Sequence, residues 1–421
     1  MNIRQYDLKL KIIFLPAYFF PEHAASPYIS ENRNQAFADA GFEMVVYAPT
    51  PTRGVNDEVR QEYKHRLNET LYNGQMKVRR FSLMREGKNP VKRALRYFIG
   101  CLKQLCYGIF SKEARSCDVM LISSTPPIQG AMAALIKKFR HIPFVYNLQD
   151  IFPDSLVGTG MTHKGSLLWK VGRVIENFTY RNADKIVVIS QDFKRNIMAK
   201  GVPEEKIEVI YNWVDEKEVT NVERADNVLF DRYHLSREKF YITYCGNIGL
   251  TQNMDLLMEC AKELSEMTEI QFVLVGEGAD KPRVQERVQN EQIENITFLP
   301  FQPYSEISHV FSLGDIGLII SKPGVGMNSL PSKTWSIMSA GRPVVANFDE
   351  NELKDIITDN HCGIFTKAGD KESFKEAILS LYHSSGMCAE YGRNGRLFVE
   401  NNLTKEIGTR KWKDVIKRFN N

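Results

Sequence analysis

The sequence predicts an α/β protein of two Rossmann-like, doubly wound parallel-sheet domains facing a cleft. Three observations carry this. Short apolar runs recur without polar alternation, as in strands covered on both faces of a sheet. Helix-like stretches separate them, giving successive β-α-β units. The rhythm then breaks once, over the charged and weakly periodic stretch 216–238, before it restarts. A chain of 421 residues fits two domains at roughly 100–200 residues each.

In the first series, strands are expected at 11–18, 43–49, 119–127, 143–150, 185–190 and 206–215. Helices are expected between them, including 128–140, 164–181 and 191–200. Residues 216–238 read as a linker. The second series places strands at 240–249, 270–278, 296–301, 316–321, 343–348 and 363–366. The implied boundary divides a first domain, 1–215, from a second, 216–403. In doubly wound sheets ligands bind beyond the carboxyl ends of the strands, so the loops there are the place to look for chemistry.

Composition excludes several classes. At 43% hydrophobic and 25% charged the chain is ordinary for a globular protein, and a net charge of +4 is too mild to indicate nucleic acid. Seven cysteines without metal-ligand spacing read as free thiols in a reducing cytosol. The amino-terminal stretch is interrupted by Lys9, Lys11 and Pro16, so it offers neither a signal-peptide core nor a membrane span. Residues 85–112 gather Arg85, Lys88, Lys92, Arg93, Arg96, Lys103 and Lys112 against Glu86 alone, interleaved with apolar positions. That pattern is either a core-packed helix with a solvated basic face or a helix lying on an anionic membrane surface.

The strand-end loops supply the candidate site. "GNIGLTQN" (246–253) follows a strand, and Gly246 and Gly249 would let backbone amides approach a ligand. Glu277 follows the next strand and could bond a hydroxyl or simply be solvated. "KPGVGMNSLPSK" (322–333) is too long for a plain connection. Its Pro331 places a helix start near Ser329. Lys333 then lies in the first turn, where a cation opposes the helix dipole unless an anion such as phosphate is bound. Plain capping by the serines is the competing reading. In the first half, "LQDIFPDSLVGTG" (148–160) sets Asp150 at a strand end as a candidate polar contact, with Asp154 as a helix cap. "FFPEHAAS" (19–26) offers Glu22 and His23, although a lone histidine is often structural. No P-loop, H-E-x-x-H or G-x-S-x-G motif occurs.

Taken together, "PAYFFPE", "DVMLISSTPP", "LQDIFPD", "VIYNWVD", "YCGNIG", "FVLVGEG", "ITFLPF" and "LPSKTWSIMSAGRPVVA" resemble the retaining glycosyltransferases of family 4, over nearly the whole chain and in the same order. The branch is similar to bacterial fucosamine-type and cell-surface polysaccharide enzymes. The resemblance implies the GT-B fold, with a carboxyl-terminal helix at 404–421 crossing back to the first domain. It implies a nucleotide-diphosphate sugar on the second domain, with Gly246, Asn247, Gln252, Glu277, Ser329, Ser332 and Lys333 as donor-binding positions and Asp150 and Lys333 in catalytic roles. Glu22 and His23 fall on the acceptor side. The implied donor is UDP-linked, with an N-acetylated deoxy sugar as the sugar that the branch resemblance suggests. The implied acceptor is a polyprenyl-diphosphate-linked saccharide in capsule, O-antigen or exopolysaccharide synthesis. No metal or other cofactor is expected, and the expected location is the cytoplasmic face of the membrane, peripherally bound.

Two departures stand out. The acid pair that many members carry is replaced by Asn328 and Ser336, and the Arg and Lys usual after the first strand of the second domain are replaced by Asn247 and Gln252. A buried diphosphate still needs its charge offset, for which Lys333 is the nearest group, with Lys322 and Arg342 behind it. Two other readings remain open: a nucleotide-sugar 2-epimerase, which needs acid–base groups such as Glu22, His23 and Asp150, and a non-catalytic partner that keeps the fold.

Overall fold

The structure, a computed structural model, describes residues 10–22, 27–87, 89–158 and 160–420. The chain forms two compact units, residues 1–211 with 408–421, and residues 212–407.

Unit 1 holds an eight-stranded sheet of β1 (Lys11–Phe14), β2 (Glu43–Pro49), β3 (Asn68–Leu71), β4 (Met76–Phe81), β5 (Val119–Ser123), β6 (Phe144–Leu148), β7 (Lys185–Val188) and β8 (Ile207–Val209). Their order is β3-β4-β2-β1-β5-β6-β7-β8, parallel throughout except for the β3–β4 pair. β6 is buried at every residue, as expected of a central parallel strand. The apolar core gathers Ile13, Met120, Ile122, Phe144, Ile186 and Phe193 between sheet and helices.

Unit 2 holds a six-stranded parallel sheet of β9 (Phe240–Cys245), β10 (Ile270–Val275), β11 (Ile296–Leu299), β12 (Ile316–Ile320), β13 (Val344–Phe348) and β14 (Gly363–Lys367). The order is β11-β10-β9-β12-β13-β14. The order reverses beside β9 and β12, a switch point of the kind that binds ligands in doubly wound sheets.

Two expectations need correction. β3 and β4 fall where no strand was expected. They pair through polar residues at the sheet edge, with Arg80 and Glu69 forming a buried ion pair across them. Residues 216–238 are also not a loose linker. Arg224 grips both carboxylate oxygens of Asp315 at 2.6 Å, and Leu229 and Phe230 are buried. The segment is part of unit 2, held by a bidentate pair that no local pattern announces.

Candidate functional site

At the carboxyl ends of β9 and β10, two loops run backbone against backbone. The Gly246 amide donates to the Val275 carbonyl, and the Ile248 amide to the Glu277 carbonyl, both at 2.9 Å. The approach requires glycine at 276: its φ is +153°, and a Cβ there would lie 1.9 Å from the Gly246 oxygen. "GNIG" and "GEG" are therefore one structural unit.

The loop after β12 folds around residues from the loop after β13. The amides of Gly324 and Gly326 donate to the two carboxylate oxygens of Asp349, at 2.9 and 2.7 Å. Asn351 Nδ2 donates to the carbonyls of Gly326 and Ser329, at 3.0 and 2.8 Å. Ser321, just past β12, is buried, and its hydroxyl has no partner among the described residues. Sequence reasoning missed Ser321, Asp349 and Asn351. The carboxylate and amide that shape the loop reach it from a separate strand end.

The helix after this loop spans Lys333–Ser339, with Ser332 in the cap position but making no side-chain capping bond to the helix amides. This corrects the expected start near Ser329, whose hydroxyl instead donates to the Gly326 carbonyl at 3.0 Å within the loop. A helix of 7 residues offers little macrodipole, so any charge complementarity rests on the lysine itself.

Lys333 Nζ donates to the Tyr244 hydroxyl at 2.9 Å and lies 4.0 Å from the centre of that ring. The same hydroxyl donates to the Asn247 carbonyl at 2.6 Å. Tyr244, which sequence reasoning did not select, thus ties Lys333 to the glycine loop. A Cβ on Gly246 would sit 3.7 Å from Nζ, so the amine lies directly against that turn. Among the described residues no carboxylate pairs with Lys333, and burial draws its pKa down to about 8. A desolvated cation without a counter-ion, set against the Gly246 turn, is suited to an anionic ligand. The Gly246 and Gly249 amides, expected to approach that ligand, are instead bonded to the Val275 carbonyl and Gln252 Oε1.

The other donor-side candidates divide. Asn247 is exposed at the turn, free to meet a ligand. Gln252 Oε1 accepts from the Gly249 amide at 3.1 Å and so helps to close the loop. Glu277 is exposed and paired with Lys281 at 2.7 Å, and Lys281 also donates to the Gly276 carbonyl at 2.9 Å. Ser332 sits at the end of the loop, beside Lys333. Arg342 is not behind Lys333. It donates to the carbonyls of Val222 and Ser312, at the amino ends of the strands.

In unit 1, Asp150 stands two positions past β6 with its side chain reaching solvent. Surrounding protein pushes its carboxyl above the usual range, and bonds with the Ser155 side chain and Ile151 backbone offset part of that. Glu22 is buried. Its Oε1 accepts from the amides of Thr52 and Arg53 at 2.7 and 2.9 Å, and its Oε2 from the Phe19 amide at 3.2 Å. It therefore braces a loop, with burial raising its pKa against those bonds. His23 lies outside the described residues.

The basic stretch forms a helix over Pro90–Phe110. Arg96 does not belong to a solvated basic face: it is 1% exposed and bonds the Met84 carbonyl and Thr52 hydroxyl. Gln104, Gly100 and Gly108 share that inner face, while Leu95, Phe98 and Leu102 point outward. Among the described residues no helix is long and apolar enough to cross a membrane, and no group of three His, Cys, Asp or Glu is placed to hold a metal.

Two family models match the chain: "Glycosyltransferase Family 4" over residues 34–218 and "Glycosyl transferases group 1" over residues 227–398. The chain is 26% identical over 275 residues to WcaI of Escherichia coli K12, whose name places it as a glycosyl transferase of colanic acid biosynthesis. That match covers 65% of this chain and 67% of the relative. It is 25% identical over 254 residues to the glycosyltransferase WbjE of Pseudomonas aeruginosa, covering 60% of this chain and 63% of WbjE, less than two thirds of that relative. Among solved structures, HepE of Anabaena in complex with UDP and glucose superposes with a TM-score of 0.72 at 15% identity, over 97% of this chain and all of that one. At that identity the likeness establishes the fold, which is GT-B.

Proposed function

The chain is a glycosyltransferase of family 4, and from that premise we propose that it moves a sugar, with retention, from a nucleotide-diphosphate donor to a lipid-linked saccharide in polysaccharide assembly. A UDP-linked donor, such as the UDP-glucose that HepE is solved with, is the first choice. The observation that carries the proposal is the unpaired Lys333 amine, fixed by Tyr244 against the Gly246 turn at the switch point of unit 2.

In this reading the diphosphate lies across the Gly246 turn and meets Lys333, Asn247 and the Ser321–Ser332 loop. The bond from the anomeric carbon to the diphosphate oxygen breaks while the acceptor oxygen bonds on the same face. The acceptor proton passes to the departing phosphate. The enzyme contributes position and an electrostatic seat for the leaving charge. Lys333 takes the charge-offsetting load that Asn247 and Gln252, standing where relatives carry Arg and Lys, cannot bear. Asp150 is assigned to the acceptor held by unit 1. No metal is assigned to the step. Glu22 is occupied by three backbone amides, which weighs against its use as an epimerase acid or base.

The apolar outer face of the 90–110 helix and its basic flanks support docking on an anionic membrane at the cytoplasmic face, where a lipid-linked acceptor resides. A thermal-shift series with UDP, GDP, ADP and their sugars tests the donor reading. One base is expected to raise Tm in the wild type and much less in Lys333→Ala. An equal shift in both proteins removes Lys333 from the donor site. Donor incubated without acceptor should remain unchanged; a C2 epimer overturns the transferase reading.

A further inference from the structure

The helix over Leu167–Asn182 repeats the inverted pattern of the 90–110 helix. Its buried residues are Gly172, Glu176, Thr179 and Tyr180, whereas Leu167, Val171, Val174 and Phe178 are exposed at helical spacing. Val174 is 68% exposed, which no packing within the unit accounts for. Between these two helices lies the helix over Ile128–Arg140, packed against both. The contacts are close because glycine makes them so. A Cβ on Gly108 would lie 2.5 Å from Ile136 Cδ1, and one on Gly130 would lie 2.2 Å from Thr179 Cγ2. The middle helix adds Phe139, 62% exposed, to the outer surface.

Topology sets the three side by side. The connections β4 to β5, β5 to β6 and β6 to β7 all advance in one direction across the sheet. Right-handed crossovers then put all three helices on the same face. The outside of such a layer is ordinarily polar. Here it is an apolar plane built from three helices.

The charge at its margin is mainly basic. Lys92, Lys138, Lys170 and Arg181 are exposed around it, and Arg93 beside them is paired with Glu86 at 3.4 Å. The only carboxylate in the three helices, Glu176, is buried and bonded to Lys200 at 2.8 Å. Beside the 167–182 helix a cavity of about 440 Å³ is lined by Arg181 and Lys206, with Tyr180, Val202 and Pro203, and by Arg173 and Lys200, which are already paired with Glu176. Apolar planes rimmed by cations match a bilayer with anionic headgroups, and a basic recess at the rim matches a lipid phosphate. A second copy would bring two basic rims face to face and be repelled.

We propose that the whole three-helix plane, with the 167–182 helix as a full member, is the membrane-seating surface of this enzyme and takes anionic phospholipid at its basic margin. This rests on the membrane reading given above and extends it from one helix to three. An enzyme seated on three parallel helices is held in one orientation, whereas one amphipathic helix leaves it free to roll about the helix axis.

The test is sedimentation of the full chain with vesicles of phosphatidylcholine alone or mixed with phosphatidylglycerol, at low and high salt. The wild type is expected to bind the mixed vesicles at low salt and to lose at least tenfold in partitioning at high salt or without phosphatidylglycerol. Val171→Asp with Val174→Asp is expected to lose tenfold or more, as is Leu95→Asp with Phe98→Asp. The shift in Tm with nucleotide reports that each variant is folded. If the 95/98 variant detaches while the 171/174 variant binds like wild type, the three-helix proposal fails and the single-helix reading survives. If the wild type binds no vesicle, both fail. A dimer seen in sedimentation velocity and abolished by the 171/174 substitutions, without vesicle binding, assigns the plane to a second copy and also overturns the proposal.

Discussion

The helix over Met254–Glu263 in unit 2 and the helix over Leu167–Asn182 in unit 1 hold the same kind of position, each covering a parallel sheet between two of its strands. The first turns Met254, Leu256, Leu257, Met258, Cys260 and Ala261 inward. The second turns a glycine, a glutamate, a threonine and a tyrosine inward and its aliphatic residues out. Unit 2 is closed by burying large side chains, and its polar features gather in strand-end loops. Unit 1 closes this part of its layer by seating the Ile136 and Thr179 side chains directly on the glycine backbones at 108 and 130, and its outward helix faces are apolar. The difference separates what holds each unit together from what each unit presents.

Truncation in the closed layer gives the largest effect on stability. Leu257 is fully buried among Ile242, Leu256 and Ile270 of the unit 2 core. Leu257→Ala is expected to cost about 2–5 kcal/mol, read from denaturant unfolding. A cost under about 1 kcal/mol would mean that unit 2 is not closed by this helix.

Next is the functional counterpart in the loops of unit 2. Lys333→Ala is expected to slow single-turnover transfer by roughly 10²–10³-fold, the scale on which removal of one preorganised donor acts. Its fold should be little changed, because the lysine packs without an ion-pair partner among the described residues. Near-normal transfer would move the charge-bearing role elsewhere, to Lys322 or Lys281.

How far such features could be read beforehand differs by kind. The strands at 119–123 and 316–320 were plain because burial on both faces leaves a run that is almost wholly apolar, and 144–148 keeps that character despite Asn147. β3 and β4 were not, since Lys77, Arg79 and Arg80 interrupt the second and its partner is an edge strand reading NETL. Lys333 was legible from its loop. Tyr244 was not, because its link to Lys333 crosses from β9 to the end of the β12 loop. The helix start was misplaced since Pro331 obeys a local rule, whereas Asp349 and Asn351 hold the preceding residues open from another strand end. The basic helix was legible as amphipathic, but periodicity does not say which face turns inward.

A pH dependence sharpens the contrast at the donor side. Burial lowers the Lys333 pKa from 10.5 to about 8, so above that pH the free enzyme loses the charge that a diphosphate would meet. Donor binding is therefore expected to weaken as pH rises through about 8, approaching tenfold for each further unit while the protonated form is the one that binds. The stability of the ligand-free protein moves oppositely at this site. Between about 8 and 10.5 the unfolded chain holds the proton and the folded one does not, so stability rises with pH there. Isothermal titration across pH 7–9 checks the first part. A flat profile, with wild-type affinity retained at pH 9, would mean that the amine carries no donor charge.

The smallest expected effect separates the two helix types most sharply. Val174 on the 167–182 helix has no interior to leave, so Val174→Ser should change stability by no more than about 0.5 kcal/mol in the absence of membrane. Its neighbour in the argument is Gly130, where even a methyl group meets Thr179 at 2.2 Å. Gly130→Ala should therefore cost about 1–3 kcal/mol through overpacking, despite being the smaller change in polarity and size. In a layer closed by large apolar side chains the ranking would be the reverse, with the aliphatic residue sensitive and the glycine tolerant. Paired denaturant curves on the two variants decide between these. If Val174→Ser proves the more damaging, the aliphatic face is packed within the protein, and the outward layer of unit 1 is closed in the same way as that of unit 2.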